Sequence, residues 1–310
     1  MESICVLMTS YNPTEYIIAQ VESILNQENV FVDLVIRDDA STNKKWINEI
    51  KSKYKVTVIE ATENVGVAQN IRELIRFANI YKKNFKYFAY SDQDDIWKSD
   101  KLKIGIERLK QLDFSKPSLY YSNLMVVDEK LENGALLFQK GVVKNTLPQG
   151  VAQIFAFACT FVFNDVMLNA ILEKPFEFMG FDHIVYYIAL INKNIFYDNN
   201  SYILYRQHGN NVSGDKKAGI IYYIYKIKSI FEKKNDSARA GGGYFNEIAN
   251  YLLKYYGDCL TKNDIDDLTM VAEYNRSLRN KLKLIGSKRV QAGYYPKDLF
   301  RHLRILLGKY

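Results

Sequence analysis

The chain has 310 residues, of which 48% are hydrophobic and 25% charged, the balance of an ordinary globular protein with one large domain or two smaller ones. Its net charge of +7 is uneven, because residues 216–310 hold 19 Lys/Arg against 9 Asp/Glu. The sequence contains no run of about 18 apolar residues, so no membrane-spanning helix is predicted. The first residues lack the features of a signal peptide, and Cys5, Cys159 and Cys259 show no paired spacing, which predicts a reducing, cytoplasmic location.

The first hundred residues alternate between predicted strands and predicted helices. Apolar runs predict strands at 4–8, 30–36, 56–59 and 85–90, and apolar residues at helical spacing predict helices at 14–25, 45–50 and 67–80. Strands joined by helices form crossover units, so this order predicts an α/β fold with a mostly parallel sheet.

The order is less regular after a predicted helix at 101–112. The pattern predicts, in turn, a strand at 119–127, a turn at Asn133-Gly134, an apolar segment at 153–163, a helix at 181–191, a strand pair or bent strand at 195–205 and a polar loop at 207–215. An aromatic amphipathic segment at 220–231, a glycine break at 241–243 and helices at 244–256, 264–284 and 299–307 follow. We therefore expect a catalytic domain of residues 1–215 and a basic, helical region of residues 216–310.

Polar side chains follow each of the first four predicted strands, at residues 9–12, 37–39, 63–64 and 91–95. Ligands of open α/β sheets bind beyond the carboxyl ends of the strands. Asp92, Asp94 and Asp95 crowd the fourth of these ends, and carboxylate oxygens are the ligands that Mg²⁺ prefers. The cluster therefore indicates a metal-bound phosphate ester, and the alternative is a solvated turn that caps the next helix.

Four segments in this order, residues 6–12, 37–42, 63–70 and 91–102, resemble the motifs of family 2 glycosyltransferases. Ala40 stands where that family usually has glycine. The resemblance covers about two thirds of the chain, residues 4–213. It implies the GT-A fold, which is Rossmann-like with a mostly parallel central sheet flanked by helices, here followed by a C-terminal helical region.

The resemblance also implies an inverting reaction with a nucleotide-sugar donor and Mg²⁺ or Mn²⁺. It assigns nine residues to the donor: Thr9, Tyr11, Asn12, Asp39, Asn64, Asn70, Asp92, Gln93 and Arg206. Asp94 and His208 are the implied metal ligands, with Asp92 as a further candidate and Asp95 as a residue that orients its neighbours. For Asp39 the alternative is that it caps the following helix together with Ser41.

Asp182, at the start of a predicted helix, matches the position of the family's general base. A helix N-terminus stabilises a carboxylate, so the alternative for this residue is an N-cap. Residues 91–97 and 205–211 most resemble the rhamnosyltransferase-like branch, which builds bacterial cell-surface polysaccharides from dTDP-rhamnose. A UDP-hexose or UDP-N-acetylhexosamine donor is the alternative.

The expected acceptor is a glycan or a lipid-linked glycan. The basic, aromatic tail then predicts peripheral contact with the cytosolic membrane leaflet, or else a helical subdomain for self-association as a homo-oligomer. Three other classes fit less well. A nucleic-acid-binding protein is suggested by the basic charge, but this charge is confined to the tail, and the acids at 92–95 would repel phosphates unless a metal intervened. A nucleotidyltransferase would carry a glycine-rich phosphate loop near the first strand, which this sequence lacks, and the complete set of Asp39, Asp92, Asp94 and Asp182 argues against a non-catalytic relative.

Overall fold

The computed structural model describes residues 1–176, 178–208 and 244–310. The chain divides into one unit of residues 1–139 and 156–208 and a second unit of residues 140–155 and 209–310. The division lies near the boundary expected at residue 215, but residues 140–155 group with the later part of the chain. The predicted segment at 220–231, the glycine break and all but the start of the loop at 207–215 lie outside the described residues.

The first unit contains a mixed sheet. Its strands are β1 (Glu2–Ser10), β2 (Val30–Asp38), β3 (Thr57–Glu60), β4 (Tyr87–Ser91), β5 (Ile96–Trp97), β6 (Leu119–Val127), β7 (Ala135–Leu136), β8 (Val162–Asn164) and β9 (Ile195–Arg206). They are ordered β3-β2-β1-β4-β8-β6-β9-β5, with β7 on β6. The run from β3 to β4 is parallel, as predicted, and β8 enters antiparallel between β4 and β6.

Helices connect the strands and build the second unit. They are α1 (Tyr16–Leu25), α2 (Lys45–Lys53), α3 (Val67–Tyr81), α4 (Lys101–Leu109), α5 (Leu147–Gly150), α6 (Asp165–Glu173), α7 (Phe181–Ile191), α8 (Tyr244–Tyr256), α9 (Lys262–Ala272), α10 (Leu278–Ile285) and α11 (Tyr295–Leu306). None of these described helices is long and apolar enough to cross a membrane.

The core of the first unit forms because helices cover the sheet. Every residue of β1 from Ile4 onward is buried, which is typical of a parallel strand packed on both faces. On α1 the buried side includes Ile17, Val21 and Ile24, at helical spacing. A Cβ on Gly105 of α4 would lie only 2.5 Å from a methyl group of Val162, so a residue without a side chain lets α4 approach β8 closely.

Two predicted elements, at 195–205 and 264–284, differ in the structure from the form expected. The segment expected as a strand pair or a bent strand is the single strand β9, whose pairing with β6 shifts register around Asn123. The single helix predicted at 264–284 is wrong, because the chain breaks into α9, a 3-10 turn at Tyr274–Arg276 and α10. Ser277 is extended there, and its hydroxyl accepts the backbone N–H of Asn280, which starts a new helix.

Candidate active site

Asp38, the last residue of β2, is fully buried and fixes the turn that follows its strand. Its carboxylate accepts the backbone N–H of Ser41 at 2.9 Å and the hydroxyl groups of Ser41 and Ser10. The next helix, α2, has Lys44 as its N-cap and no side-chain cap. The alternative in which Asp39 and Ser41 cap that helix is therefore wrong.

Asp39 joins the end of β2 to the loop that precedes α3. Its two carboxylate oxygens accept the backbone N–H groups of Val65 at 3.0 Å and Gly66 at 2.9 Å. The Asn64 amide donates to the backbone carbonyl of Asp39 at 3.2 Å. Asn70 is buried and exchanges hydrogen bonds with Arg37. The structure thus brings three of the predicted donor-binding residues to one strand end.

The end of β1 joins the same rim. The Thr9 hydroxyl lies 2.6 Å from that of Tyr90, at the end of β4. The Gln93 side chain accepts the backbone N–H of Tyr11 at 2.9 Å and donates to its carbonyl at 3.3 Å. The Asn12 side chain accepts the backbone N–H of Thr42 at 2.9 Å. These contacts lock the ends of β1, β2 and β4 together and leave the Tyr11 side chain exposed.

The acidic loop after β4, Asp92–Asp95, holds carboxylates that the protein neutralises only in part. Oδ1 of buried Asp95 accepts the backbone N–H of Arg206 at 3.1 Å, whereas its Oδ2 is buried and has no hydrogen-bond partner among the described residues. Burial raises the pKa of Asp95 well above its usual range, and the neighbouring acids add to this. Burial, helped by the charges of Asp94 and Asp182, raises the pKa of Asp92 to about 7.

This arrangement fits a divalent cation. An unpartnered buried carboxylate oxygen beside other acids is a position that a cation can occupy. One ligand atom each from Asp92, Asp95 and Cys159 lies within 4.8 Å of the others. Burial raises the pKa of the Cys159 thiol well above its ordinary value, so this sulfur stays protonated and is a poor ligand. The oxygen donors suit Mg²⁺ or Mn²⁺.

His208 and Arg206 reach the acidic loop from the end of β9. Nε2 of His208 lies 2.8 Å from a carboxylate oxygen of Asp94, so both predicted metal ligands are adjacent. The Arg206 guanidinium is buried, donates to the backbone carbonyls of Asp94 and Glu129, and lies 4.1 Å from the centre of the Tyr16 ring. Arg206 therefore holds the loop in place, and its contact with a diphosphate stays a prediction.

Asp182 lies in the first turn of α7, close to the acidic loop. The rings of Phe181 and Tyr90 are 5.3 Å apart, which brings the start of α7 to the end of β4. Gly180 is the N-cap, so the alternative of Asp182 as an N-cap is wrong. Oδ1 of Asp182 accepts the adjacent N–H of His183 at 3.1 Å. A Cβ at Gly180 would lie 2.8 Å from this oxygen, so the glycine leaves room for the carboxylate.

Lys101 lies near this site but was not predicted from the sequence as a site residue. Its ammonium group is buried 3.6 Å from the centre of the Trp97 ring and has no hydrogen-bond partner in the part of the chain that the structure describes. Burial lowers its pKa to about 7, against the opposing influence of Cys159 and Asp95. The only signal in the sequence was a lysine at the start of the helix after the acids, a position where lysine is normally exposed.

Comparisons with known proteins agree with this geometry. The model of a family described as glycosyl transferase family 2 matches residues 5–167. The dTDP-rhamnosyl transferase RfbG of Shigella flexneri is 28% identical over 231 residues, covering 67% of this chain and 73% of the relative. The UDP-Glc:alpha-D-GlcNAc-diphosphoundecaprenol beta-1,3-glucosyltransferase WfaP of Escherichia coli is 25% identical over 236 residues, covering 74% and 87%.

A solved structure shows the same fold. The crystal structure of S. aureus TarS 1–349 in complex with UDP-GlcNAc superposes with a TM-score of 0.56 at 15% identity, covering all of this chain and 93% of the other. The sheet order, the acidic loop at the strand ends and the family match over more than half of the sequence lead to one conclusion: this chain belongs to glycosyl transferase family 2 and is a glycosyltransferase with the GT-A fold.

Proposed function

We propose that the chain transfers a sugar, with inversion, from a nucleotide-sugar to a hydroxyl group of a cell-surface glycan, and that it requires Mg²⁺ or Mn²⁺. The observation that carries this proposal is the acidic loop, where one oxygen of Asp95 has no partner among the residues described and burial raises the pKa of Asp92 to about 7. Carboxylates crowded in this way repel phosphate unless a cation intervenes, so a donor with a diphosphate and a metal ion complement each other here.

The described residues divide the work of binding the donor and moving the proton. Thr9, Tyr11 and Asn12 at the end of β1, with Gln93 from the loop after β4 and with Asp39 and Asn64, form the rim that binds the nucleoside. Asp94 and His208, with Asp92, would hold the metal, which would supply positive charge to neutralise the diphosphate. Asp182 takes the proton from the acceptor hydroxyl group, and its position beside the acidic loop supports that role.

dTDP-rhamnose is the donor that we propose first. The similarity to RfbG, whose name gives that sugar, and the motifs at 91–97 and 205–211 support it. A UDP-hexose or UDP-N-acetylhexosamine is the alternative, supported by the similarity to WfaP and to the TarS complex with UDP-GlcNAc. The name of WfaP also supports a lipid-linked acceptor, so we propose that the chain works at a membrane surface as a peripheral protein.

Isothermal titration of the protein with dTDP-rhamnose, UDP-glucose and UDP-GlcNAc, each with Mn²⁺ and again with EDTA, tests the proposal. We expect one donor to bind with Mn²⁺ and to lose about tenfold or more in affinity with EDTA, a difference of about 1.4 kcal/mol. Equal affinity in EDTA would contradict the metal requirement. Failure of all three donors to bind with Mn²⁺ would favour a non-catalytic relative.

Two variants make the titration specific to the site. Asp94→Asn removes a proposed ligand charge and should weaken metal-dependent donor binding. Asp100→Asn is the matched control, because Asp100 lies at the start of α4, makes no side-chain cap and is not among the crowded acids. Equal donor affinities in both variants would exclude Asp94 as a ligand.

A further inference from the structure

Helices α10 and α11 of the second unit expose large apolar side chains in rows. On α10, Leu278 and Leu282 are 66% and 56% exposed and lie four positions apart, so they share one side of the helix. On α11, Leu299 and Leu306 are 55% and 46% exposed and lie seven positions apart, again on one side. Two neighbouring helices thus each leave a row of leucines in contact with water.

The opposite sides of these helices are packed, and the two rows are close together. Leu284 on α10 and Ile305 on α11 are fully buried. The ammonium group of Lys281, between Leu278 and Leu282, donates to the backbone carbonyl of Leu306 at 2.9 Å. The exposed leucines therefore lie on the outer side of a packed helix pair, which we call the α10–α11 surface.

This surface carries positive charge. Residues 274–310 contain ten Lys/Arg and a single acid, Asp298, and three of the ten, Arg276, Arg289 and Arg301, are paired with acids. Arg279 and Lys283 each follow an exposed leucine by one position and are themselves exposed. Among the described residues, neither has an acidic group within 4.0 Å. A row of leucines flanked by a row of free positive charges is typical of helices that lie in a membrane interface.

We propose that the α10–α11 surface binds an anionic lipid bilayer. The leucines enter the boundary of the hydrocarbon region while Arg279 and Lys283 extend to the lipid headgroups. A second copy of this chain fits less well, because it would present the same positive charge and repel the first. A nucleic acid would satisfy the charge but would leave exposed leucines without apolar partners.

Sedimentation with lipid vesicles tests this inference on the full chain. We expect binding to phosphatidylcholine vesicles that contain phosphatidylglycerol, about tenfold weaker binding to pure phosphatidylcholine, and weakening by salt. The double variants Leu278→Ser/Leu282→Ser and Arg279→Glu/Lys283→Glu should each reduce binding to the anionic vesicles about tenfold. All four side chains are exposed, so the variants should unfold at nearly the same temperature as the wild type.

A matched control lies on α3 of the first unit, where Ile80 and Tyr81 are 56% and 68% exposed. Ile80→Ser/Tyr81→Ser should leave vesicle binding unchanged, and an equal loss in this variant would show that any exposed apolar pair suffices. Three results would overturn the inference: no binding to anionic vesicles, equal binding to both vesicle types, or concentration-dependent dimers that Leu278→Ser/Leu282→Ser dissociates.

The inference extends the proposed membrane-bound acceptor, but its test is independent of that proposal. Vesicle sedimentation uses neither donor nor acceptor, and donor titration uses no lipid. If the chain binds donor but no vesicles, only the membrane-binding role of the α10–α11 surface is contradicted. If it binds anionic vesicles but no donor, only the proposed reaction is contradicted.

Discussion

Two strand ends of the same sheet carry adjacent acids, and the protein treats them in opposite ways. After β2, the carboxylates of Asp38 and Asp39 accept hydrogen bonds from backbone N–H groups and hydroxyl groups on both oxygens. After β4, a buried oxygen of Asp95 finds no partner within residues 1–176, 178–208 and 244–310, and burial raises the pKa of Asp92 to about 7. The partners of a carboxylate, rather than its place at a strand end, therefore distinguish an acid that builds the loop from one that we propose lies beside a cation.

The largest expected effect is on the transfer rate of Asp182→Asn, whose donor binding should change little. Asp182→Asn should reduce the transfer rate about 10³-fold or more, because the variant cannot accept the acceptor proton, while donor affinity stays within about twofold. Asp94→Asn should reduce both. Initial transfer rates and donor titrations on the same preparations check this, with Asp100→Asn as the control. Full activity in Asp182→Asn would contradict the assignment of Asp182 as the general base.

The crowded acids after β4 should also make the stability of the metal-free protein sensitive to pH. The pKa of Asp92 is raised to about 7 in the folded protein, so between about pH 4 and pH 7 the folded state holds a proton that the unfolded state has lost. The free energy of unfolding should therefore fall as pH rises through this window, by at most about 4 kcal/mol, and then level off.

Urea unfolding in EDTA measures this effect, and Asp92→Asn is the comparison. The variant should lose the part of the pH dependence that belongs to residue 92, while the contribution of Asp95, whose pKa is raised in the same direction, remains in both proteins. Parallel pH curves for the wild type and Asp92→Asn would contradict the raised pKa.

The same substitution at the two strand ends should change stability in opposite directions. Asp38→Asn replaces an accepting oxygen with an NH₂ group inside a buried turn, so we expect a loss of about 2 kcal/mol. Asp95→Asn keeps an acceptor for the N–H of Arg206 and removes a carboxyl whose ionisation burial and the neighbouring acids oppose, so the metal-free protein should be equally stable or more stable by about 1 kcal/mol. Urea unfolding of both variants in EDTA measures their free energies of unfolding. Equal losses of stability would contradict the proposed difference between the acids at the two strand ends.

The smallest expected effect concerns the turn after Asp39. Ala40 has a φ of +59°, a left-handed conformation that costs a residue with a Cβ about 1 kcal/mol. Ala40→Gly should raise the free energy of unfolding by roughly 0.5 kcal/mol, because the added entropy of glycine in the unfolded chain offsets part of the gain. Ala68→Gly in α3 is the control and should cost about 1 kcal/mol. A loss in both variants would show that Ala40 is unstrained.

The fold of the first hundred residues could be predicted because the spacing of apolar residues in each element identifies its buried side. The strands from β1 to β4 and the helices between them appear in the predicted order, and the family assignment and GT-A fold are confirmed. The break at Ser277 could not be predicted in this way. Apolar spacing continues across it, and only the cap formed with Asn280 shows that one helix ends and another begins.

The candidate site could be predicted as a set of residues but not as a set of interactions. The strand-end rule and the family motifs pointed to Asp92, Asp94 and His208. The burial of Arg206 depends on β9 reaching the acidic loop, a contact between positions 111 residues apart. The buried ammonium group of Lys101 likewise depends on how α4 packs. Local sequence patterns carry no information about such distant contacts, so the division of roles among the acids needed the structure.

The second unit is assembled from two separated stretches of chain, and this affects how the protein is made. The Gln149 side chain donates to the carbonyl of Ala292 at 3.0 Å, and the Tyr310 hydroxyl donates to the carbonyl of Val151 at 2.6 Å. A ribosome that has completed the first unit at residue 208 must add about 100 residues more before these partners emerge, roughly 5 to 20 s at usual elongation rates. During that interval residues 140–155 lack those partners, which makes them the segment that proteases and chaperones would meet in the nascent chain.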